Sequence, residues 1–361
     1  MPSMDMVGAG GGWRSHHVQH HHIQPLEIRQ VWADNVEREF KLIRAATERF
    51  PYMSMDTEFP GVIHHHPASK HHAALTPGER YALLKANVDA LHLIQVGLCF
   101  AASPTSPPAL AFQINLREFD PRVHRHAPDS VRLLAASGLD LAAHRARGVS
   151  ARALAALLMS SGLVCNPGVA WVAFHSAYDF AYLVKLLMGR KLPASLPEFL
   201  KYVRVYFGPR VYDVKHMMRF CGGGGALHGG LERVAAALGV RRAAGQCHQA
   251  ASDSVLTWDT FRQMRRLYFD SREGGSVEMC AGVLFGLELQ LVQVQDNGED
   301  PFMFVRHQQK AVAVAAAKCA DGGKRRSRRR SSARSALVQL QQHSSTSSSF
   351  PAARPLLSTR V

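Results

Sequence analysis

The chain has 361 residues, of which 47% are hydrophobic and 20% are charged, so global disorder is excluded and one large domain with tails, or two domains, can form. No repeat with a period of about 20–50 residues is present, which excludes solenoid architectures. The formal net charge is +15, but ten basic residues and one acidic residue lie between Lys318 and Val361, so the charge alone does not indicate a core that binds nucleic acid.

The six cysteines are scattered and form no C-x-x-C pair. They are typical of free thiols in a reducing compartment and exclude a disulfide framework or a zinc knuckle. The first 17 residues contain no apolar run, and no stretch approaches about 18 uninterrupted apolar residues. We therefore expect no secretory signal, no membrane span and a soluble intracellular protein.

Residues 1–27 are rich in glycine and histidine and have no periodicity, which predicts a disordered tail. The histidines at 64–66 and 71–72 flank Pro67 in an apparent loop. Imidazoles on such segments are more often solvated low-complexity residues than metal ligands.

Structure is expected from Glu27 onward. A helical period over 34–50 places Val36, Phe40, Ile43 and Ala46 on one side, with Asp34 as the N-cap and Pro51 as the terminator. Further strands are predicted at 51–62, 93–102, 109–116 and 169–174, and a short strand leading into a helix at 211–220. Further helices are predicted at 78–90, within 129–161, and at 175–187, 231–238 and 251–269.

Strands that alternate with helices predict a single α/β domain. We place this domain at 28–290 and predict that 291–361, which is basic and rich in serine, is a mostly disordered tail. The run Gly222–Gly225 is interpreted as a flexible loop, because the Lys-Ser/Thr that would make it a phosphate-binding loop is missing.

Asp56 and Glu58 lie two residues apart on a predicted strand and therefore point to one face. Adjacent carboxylates repel each other in a partly dry site, and a bound cation removes that cost. Mg²⁺ prefers such hard oxygen ligands. Alone, a D-x-E pattern is too short to be specific.

Two further elements carry candidate side chains. Asp179 follows an apolar strand in the first turns of a helix, where by itself a charge favoured by the helix dipole is the better explanation. His248 and Asp253 are five residues apart, so they would diverge on one helix. They converge if His248 lies on the loop and Asp253 on the helix that follows. By itself, an ordinary loop histidine followed by an aspartate in the first turn of a helix is the better explanation of the pair.

Together, these four carboxylates and one imidazole are the inventory for hydrolysis of a phosphodiester with two metal ions. Two cations activate a water and stabilise the leaving oxygen, and a histidine accepts the proton of that water. The combination favours a phosphodiester hydrolase over a kinase or a dehydrogenase.

Four segments closely resemble the carbon-catabolite-repressor-associated factor 1 family of deadenylases, which are DEDD-type 3′→5′ exonucleases. They are MDTEFPG (55–61), FHSAYDFAYL (174–183), YDVKHMM (212–218) and HQAASDSVLT (248–257). The segments 28–40, 87–98 and 157–163 resemble the same family, so the likeness extends from about residue 28 to about residue 287. It implies a ribonuclease H-like fold, with a mixed central sheet flanked by helices in a single catalytic domain.

The resemblance also implies roles for the candidate residues. Asp56, Glu58, Asp179 and Asp253 would be the metal ligands, and His248 the general base. The implied enzyme removes AMP stepwise from the 3′ poly(A) tail of mRNA with two divalent cations, Mg²⁺ or Mn²⁺. Such enzymes work in a complex with the Not scaffold subunit and a second deadenylase that has a leucine-rich-repeat arm, and they promote mRNA decay.

The chain departs from the family pattern in several places. Ala177 and Ala251 stand where glycine is usual, and Gly222–Gly225 resembles a loop insertion. Asp213 belongs to the family pattern outside the metal quartet, and we interpret it as structural. Three aromatic side chains beside the motifs are candidates either for stacking on RNA or for the core: Phe59, Phe174 and Tyr178.

Two other functions remain as alternatives to a poly(A)-specific exoribonuclease. One is a non-catalytic scaffold subunit that bridges the complex to another deadenylase, and the other is an exonuclease for DNA or structured RNA. The run KRRSRRR (324–330) has three interpretations, a nuclear import signal, an electrostatic RNA anchor or a plain solvated tail. We expect a protein of the nucleus and the cytoplasm.

Overall fold

The computed structural model describes residues 26–66, 75–222, 227–270 and 276–289. Residues 1–25 of the tail predicted at 1–27 lie outside the described residues, as do the tail predicted at 291–361, the histidines at 71–72 and most of the Gly222–Gly225 run. The limits of the domain therefore stay predictions. Within the described residues, no helix has the length and the apolar character that crossing a membrane requires.

In the described part of the chain, six strands form one mixed sheet in the order β1-β4-β3-β2-β5-β6. Their bounds are Ile28–Val31 (β1), Tyr52–Glu58 (β2), Gln95–Ala101 (β3), Leu110–Asn115 (β4), Ala170–Ala173 (β5) and Val211–Asp213 (β6). β3 is antiparallel to β2 and β4, whereas β1 is parallel to β4, and β2, β5 and β6 run parallel to one another. The predicted α/β class with a mixed central sheet is confirmed.

Helices cover both faces of this sheet. Their bounds are Val36–Arg49 (α1), Pro77–Ala90 (α2), Pro128–Ala136 (α3), Leu141–Arg147 (α4), Ala151–Met159 (α5), Ala177–Met188 (α6), Leu196–Phe207 (α7), Val214–Met217 (α8), Leu231–Ala237 (α9) and Ala250–Tyr268 (α10). Short 3₁₀ turns follow at Met218–Phe220 and Val277–Cys280. The predicted helical region 129–161 is divided into three helices, because Asp140 and Ser150 accept backbone hydrogen bonds and begin α4 and α5.

Alternating residues of the strands point to opposite faces of the sheet and form part of two apolar layers, one on each face. One layer contains Met53 and Met55 of β2 and packs under α1, α2 and α5–α7. The other contains small side chains of β3–β5, such as Cys99 and Ala111, and packs under α8–α10. Small residues on this second face let α10 approach the sheet closely, and Gly97 of β3 lies directly under the backbone of Ala250.

Two details differ from the sequence expectations. The N-cap of α1 is Asn35, not Asp34, because the Asn35 side chain accepts a hydrogen bond from the Trp32 backbone N–H at 2.8 Å and so closes the turn before the helix. Asp34 instead lies at the surface, 3.4 Å from Arg147. In addition, neither β1 nor α7 was predicted.

Candidate active site

The carboxyl end of β2 carries the first two carboxylates. Asp56 and Glu58 lie opposite Gly97 and Gln95 of β3, on the face of the strand that packs against α10. Ser54 precedes them on the same face and donates its hydroxyl to the carbonyl of Ser254 in α10 at 2.7 Å. This hydrogen bond holds the strand and the helix in a fixed relation at the site.

Asp179 reaches the same sheet edge from the first turn of α6. It is buried, with 6% of its surface exposed, and its Oδ1 accepts a 2.5 Å hydrogen bond from the hydroxyl of Thr57. Thr57 lies between the two carboxylates of β2 and points to the opposite face. Three consecutive residues of β2 therefore supply two carboxylates, from Asp56 and Glu58, and the hydroxyl of Thr57 that orients the carboxylate of Asp179.

His248 and Asp253 lie on the two sides of the start of α10. The helix begins at Ala250, so Asp253 is in its first turn and His248 is on the preceding loop, as the spacing predicted. His248 has a left-handed backbone, with φ of 60°, and its N–H donates to Asp253 Oδ2 at 3.2 Å. Ligand atoms of Glu58, His248 and Asp253 all lie within 4.8 Å of one another.

The pKa values of the four carboxyl groups are all raised above their ordinary values. Loss of solvent is the main cause for each of them, and the neighbouring carboxylates add to it for Asp56 and Glu58. The pKa of Asp56 is well above its usual range, that of Glu58 is about 8 and that of Asp179 about 7. The pKa of Asp253 is raised as well, although Arg242 opposes the shift.

Arg242 is a functional neighbour that the sequence patterns did not indicate. Its guanidinium lies 2.5 Å from Asp253 Oδ1 and also pairs with Glu232 of α9. A single basic residue on a loop has no periodicity or motif that would single it out. Its charge also opposes the rise in the pKa of Asp56, so it acts on two of the four carboxylates.

The donor set fits divalent cations. Carboxylate oxygens close to one another and partly removed from water repel each other unless positive charge lies between them, and Mg²⁺ and Mn²⁺ favour oxygen ligands. A second group within 4.8 Å consists of Glu232, Cys247 and Asp253, but Arg242 already neutralises both of its carboxylates. Glu58, His248 and Asp253, with Asp56 and Asp179 beside them, are the better match.

All five predicted site residues thus lie at one edge of the sheet, and their roles as ligands and base stay predictions. Asp213 lies nearby and is fully buried. Its carboxylate accepts hydrogen bonds from the backbone of His175, Ser176, Lys215 and Phe285 and from the Ser176 hydroxyl. These contacts agree with a structural role.

The aromatic candidates have different surroundings. Phe59 stacks on Tyr178, with 5.4 Å between ring centroids, and both pack against the core layer under α6. Phe174 instead lies beneath the ammonium of Lys215, 5.5 Å from the ring centroid.

Comparisons with known proteins give one consistent result. Residues 31–155 match the profile described as CAF1 family ribonuclease. The probable CCR4-associated factor 1 homolog 7 of Arabidopsis thaliana is 43% identical over 276 residues, which cover 74% of this chain and 96% of that protein. Poly(A) ribonuclease pop2 of Schizosaccharomyces pombe is 40% identical over 265 residues, with 72% and 75% covered.

Two solved structures share the fold over almost their whole length. The Mg²⁺- and Mn²⁺-bound form of S. pombe Pop2p superposes with a TM-score of 0.64 at 38% identity and covers 72% of this chain and 99% of that one. CAF1 co-crystallised with the MIF4G domain of yeast NOT1 gives a TM-score of 0.58 at 25% identity, with 72% and 96% covered. These likenesses confirm the fold that the resemblance implied, and the chain belongs to the CAF1 family of poly(A) ribonucleases.

Proposed function

We propose that this protein is a poly(A)-specific 3′→5′ exoribonuclease that shortens mRNA tails and releases AMP with the help of two divalent cations. The observation that carries the proposal is the convergence of four carboxylates and one imidazole at the carboxyl end of β2, where their mutual repulsion demands positive charge. The relatives named as poly(A) ribonuclease and solved with Mg²⁺ and Mn²⁺ support the choice of substrate and cation.

Asp56, Glu58, Asp179 and Asp253 would hold the cations. When bound, these ions supply the charge that lowers the pKa of an attacking water and stabilises the leaving 3′ oxygen. His248 accepts the proton of that water at a ring nitrogen beside Glu58 and Asp253. Thr57 holds Asp179 in one orientation, and Asp253 fixes the backbone of the His248 loop through the N–H of that residue.

The test uses the full chain and a 5′-labelled RNA that ends in a run of adenosines, with Mg²⁺ or Mn²⁺, beside Asp56→Asn. We expect a ladder that shortens from the 3′ end, and a loss on the order of 10²–10³-fold in the variant, because several kcal/mol of charge stabilisation are removed. A chelator should abolish the ladder. An RNA of mixed sequence should be degraded more slowly than the adenosine run.

A folded wild-type protein that shows no cation-dependent shortening would contradict the proposal. That outcome would favour the scaffold subunit that bridges the complex to another deadenylase. Equal rates on DNA, structured RNA and adenosine runs would instead favour a general exonuclease.

We also propose that the protein acts within the Not-scaffold deadenylation complex, beside a second deadenylase with a leucine-rich-repeat arm, and so promotes mRNA decay. The co-crystal of a CAF1 relative with a NOT1 MIF4G domain supports the first contact. Co-purification with a MIF4G domain tests it, and failure of the two purified proteins to associate would contradict it.

Location in both nucleus and cytoplasm is part of the proposal. The run 324–330 is one candidate for the nuclear signal. Imaging of a tagged full chain beside a variant in which these basic residues are replaced by glutamine tests this. An unchanged nuclear share would remove the import role from the run.

A further inference from the structure

A cluster of cations on aromatic rings lies beside the carboxylates and has no part in the mechanism above. We call it the Lys215 platform and define it by five residues: Phe174, His175, Lys215, Arg219 and Phe285. The Lys215 ammonium lies 5.5 Å from the Phe174 centroid and 5.9 Å from that of Phe285. The Arg219 guanidinium lies 4.9 Å from the Phe285 centroid, and the His175 ring 5.2 Å from it.

The topology puts this platform on the same edge of the sheet as the active site. β2, β5 and β6 are parallel neighbours, so their carboxyl ends share one edge. β2 ends at Glu58 and β6 at Asp213, just before Lys215. The register puts Asp213 level with Ala173 and Val172 level with Ser54, so Asp213 lies two strands across from Asp56 and about one residue short of it. Neighbouring strands are about 4.8 Å apart, so the backbones of Asp213 and Asp56 are roughly 10 Å from each other, and those of Asp213 and Glu58 roughly 14 Å. These distances correspond to about two nucleotide steps of an extended single strand.

Asp213 joins the platform to the catalytic helix. Its carboxylate accepts N–H bonds from His175 at 2.9 Å, from Lys215 at 2.9 Å and from Phe285 at 3.0 Å. His175 leads directly into α6, which carries Asp179. The platform therefore has a fixed position relative to the carboxylates.

Part of the positive charge of the Lys215 platform is already paired within the protein. Lys215 also donates to the Gly229 carbonyl, and Arg219 is paired with Glu288 at 2.9 Å, while His216 lies 3.8 Å from the same carboxylate. Lys215 nevertheless has two more ammonium protons, and the Arg219 side chain is 50% exposed. Phe174 and Phe285 are half-buried, so part of each ring is accessible.

We propose that the Lys215 platform binds the RNA strand just upstream of the nucleotide that is removed, with phosphates on Lys215 and Arg219 and a base against Phe285. Single-stranded nucleic acid is held in this way in general, by cations that follow the backbone and by aromatic rings that stack on bases. The inference rests on the proposed function, since it assumes that the 3′ end of an RNA lies at the carboxylates.

A simple packing explanation exists, because isolated cation–π pairs are common in proteins. Arg210 over Tyr52, at 5.8 Å, is such a pair. Tyr52 begins β2 and Arg210 precedes β6, so this pair lies at the opposite edge of the sheet and is a matched control. The platform differs from it, since two cations share two rings beside the carboxylates.

The experiment measures binding and cleavage with the full chain. Binding of a labelled ten-adenosine RNA is followed by anisotropy in a chelator, over a series of salt concentrations, for wild type, K215Q/R219Q, Phe285→Leu and Arg210→Gln. Cleavage is followed with Mg²⁺ on the same RNA and on the dinucleotide ApA, which has no phosphate upstream of the bond that is cut.

We expect K215Q/R219Q to weaken binding of the ten-adenosine RNA by about tenfold and to reduce the salt slope by about 1.4, that is 0.7 for each lost phosphate contact on a single strand. Phe285→Leu should weaken binding about fivefold or more and leave the salt slope unchanged. For K215Q/R219Q, kcat/KM should fall much further on the ten-adenosine RNA than on ApA. Arg210→Gln should match wild type in every measurement.

Unchanged binding and an unchanged salt slope in K215Q/R219Q would overturn the inference, and would leave an acidic protein segment as the better occupant. Equal losses on the long RNA and on ApA would also overturn it, since they indicate structural support only. If wild type cuts neither RNA but the platform variants still weaken binding in chelator, the proposed function fails while the RNA site stands.

Discussion

Arg242 is the residue through which the protein already supplies positive charge to its carboxylates. Its guanidinium lies 2.5 Å from Asp253 Oδ1, while the Oδ2 of the same group accepts the His248 N–H. A cation that binds Asp253 therefore shares this ligand with an arginine. We therefore expect Arg242 both to stabilise the metal-free site and to weaken the attraction of the site for metal.

Arg242→Gln separates these two effects. In chelator, the free energy of unfolding should fall by about 2 kcal/mol, because a mostly buried carboxylate loses its partner. The gain in unfolding temperature on adding Mg²⁺ should be larger than in wild type, because the competing charge is gone. Thermal unfolding with and without Mg²⁺ measures both quantities.

Arg122→Gln is the matched control, since Arg122 pairs with Asp120 through a 72% exposed side chain and such pairs contribute little. A variant at 242 that behaves like the variant at 122 would contradict the role given to Arg242.

Sequence patterns predicted the positions of some site residues but not the contacts of others. The positions of Asp56 and Glu58 follow from the period of a strand, and the separation of His248 from Asp253 follows from the turn angle of a helix. The bond from Thr57 to Asp179 does not follow, because it joins residues 122 positions apart in the chain. Arg242 is only 11 positions from Asp253, but it lies on a loop, where no local period encodes the contact. The choice of Asn35 over Asp34 as a cap was likewise decided by a contact, the N–H of Trp32.

At the scale of elements, the close approach of β3 and α10 determines how near Asp253 lies to the carboxylates of β2. A Cβ atom on Gly97 would lie 2.1 Å from the carbonyl carbon and oxygen of Ala250. These are backbone atoms and cannot rotate away. The helix that carries Asp253 can therefore lie this close to the sheet only because Gly97 has no side chain.

Gly97→Ala should push α10 away from β3. We expect a loss of about 1–3 kcal/mol or more in stability, as for other overpacked cores, and a fall in nuclease rate, because Asp253 and His248 move with the helix. Gly78→Ala is the control, since a Cβ there meets no atom within 4 Å and alanine favours helix α2. Chemical unfolding and the labelled-RNA assay test both variants, and a fully active, stable Gly97→Ala protein would contradict this account.

Strand β1 and helix α7 were not predicted from the sequence, and the reason differs between the two. Helix α7 has a regular apolar period, with Phe199, Val203 and Tyr206 buried, so the signal is present in the sequence. Strand β1 has only four residues and one buried side chain, Val31. Its pairing with β4, more than eighty residues later, decides that it is a strand, and such information is not local.

At the scale of the whole molecule, the carboxylate site makes stability depend on pH and on metal together. The raised pKa values of Glu58, about 8, and Asp179, about 7, mean that the folded state holds protons which the unfolded state has released. Without a cation, this contribution to stability is complete below the unfolded pKa and is lost as the pH rises to about 8.

We therefore expect that, in chelator, raising the pH from 5 to 8 destabilises wild type relative to Glu58→Gln, and that Mg²⁺ removes much of this difference. The comparison with a variant is needed because burial lowers the pKa of His92 to about 4, which acts in the opposite direction. Unfolding temperatures across this range measure the effect. Parallel curves for the two proteins in chelator would contradict it.

The α/β class of the whole molecule could be predicted from the alternation of strands and helices. The order of the strands could not, because β2 has β3 on one side and β5, from residue 170 onward, on the other. Local periods carry no information on such pairings, and the family resemblance supplied the expected architecture.

The wide spacing of the site along the chain has a consequence during synthesis. β2 displays Asp56 and Glu58 early, but β5 and Asp179 come more than a hundred residues later, and Asp253 follows only at the start of α10. A ribosome-bound chain that has not yet released α10 lacks both Asp253 and a positioned His248. The full carboxylate set is thus assembled only after α10 has left the ribosome, and any chemistry that needs all four carboxylates begins only then.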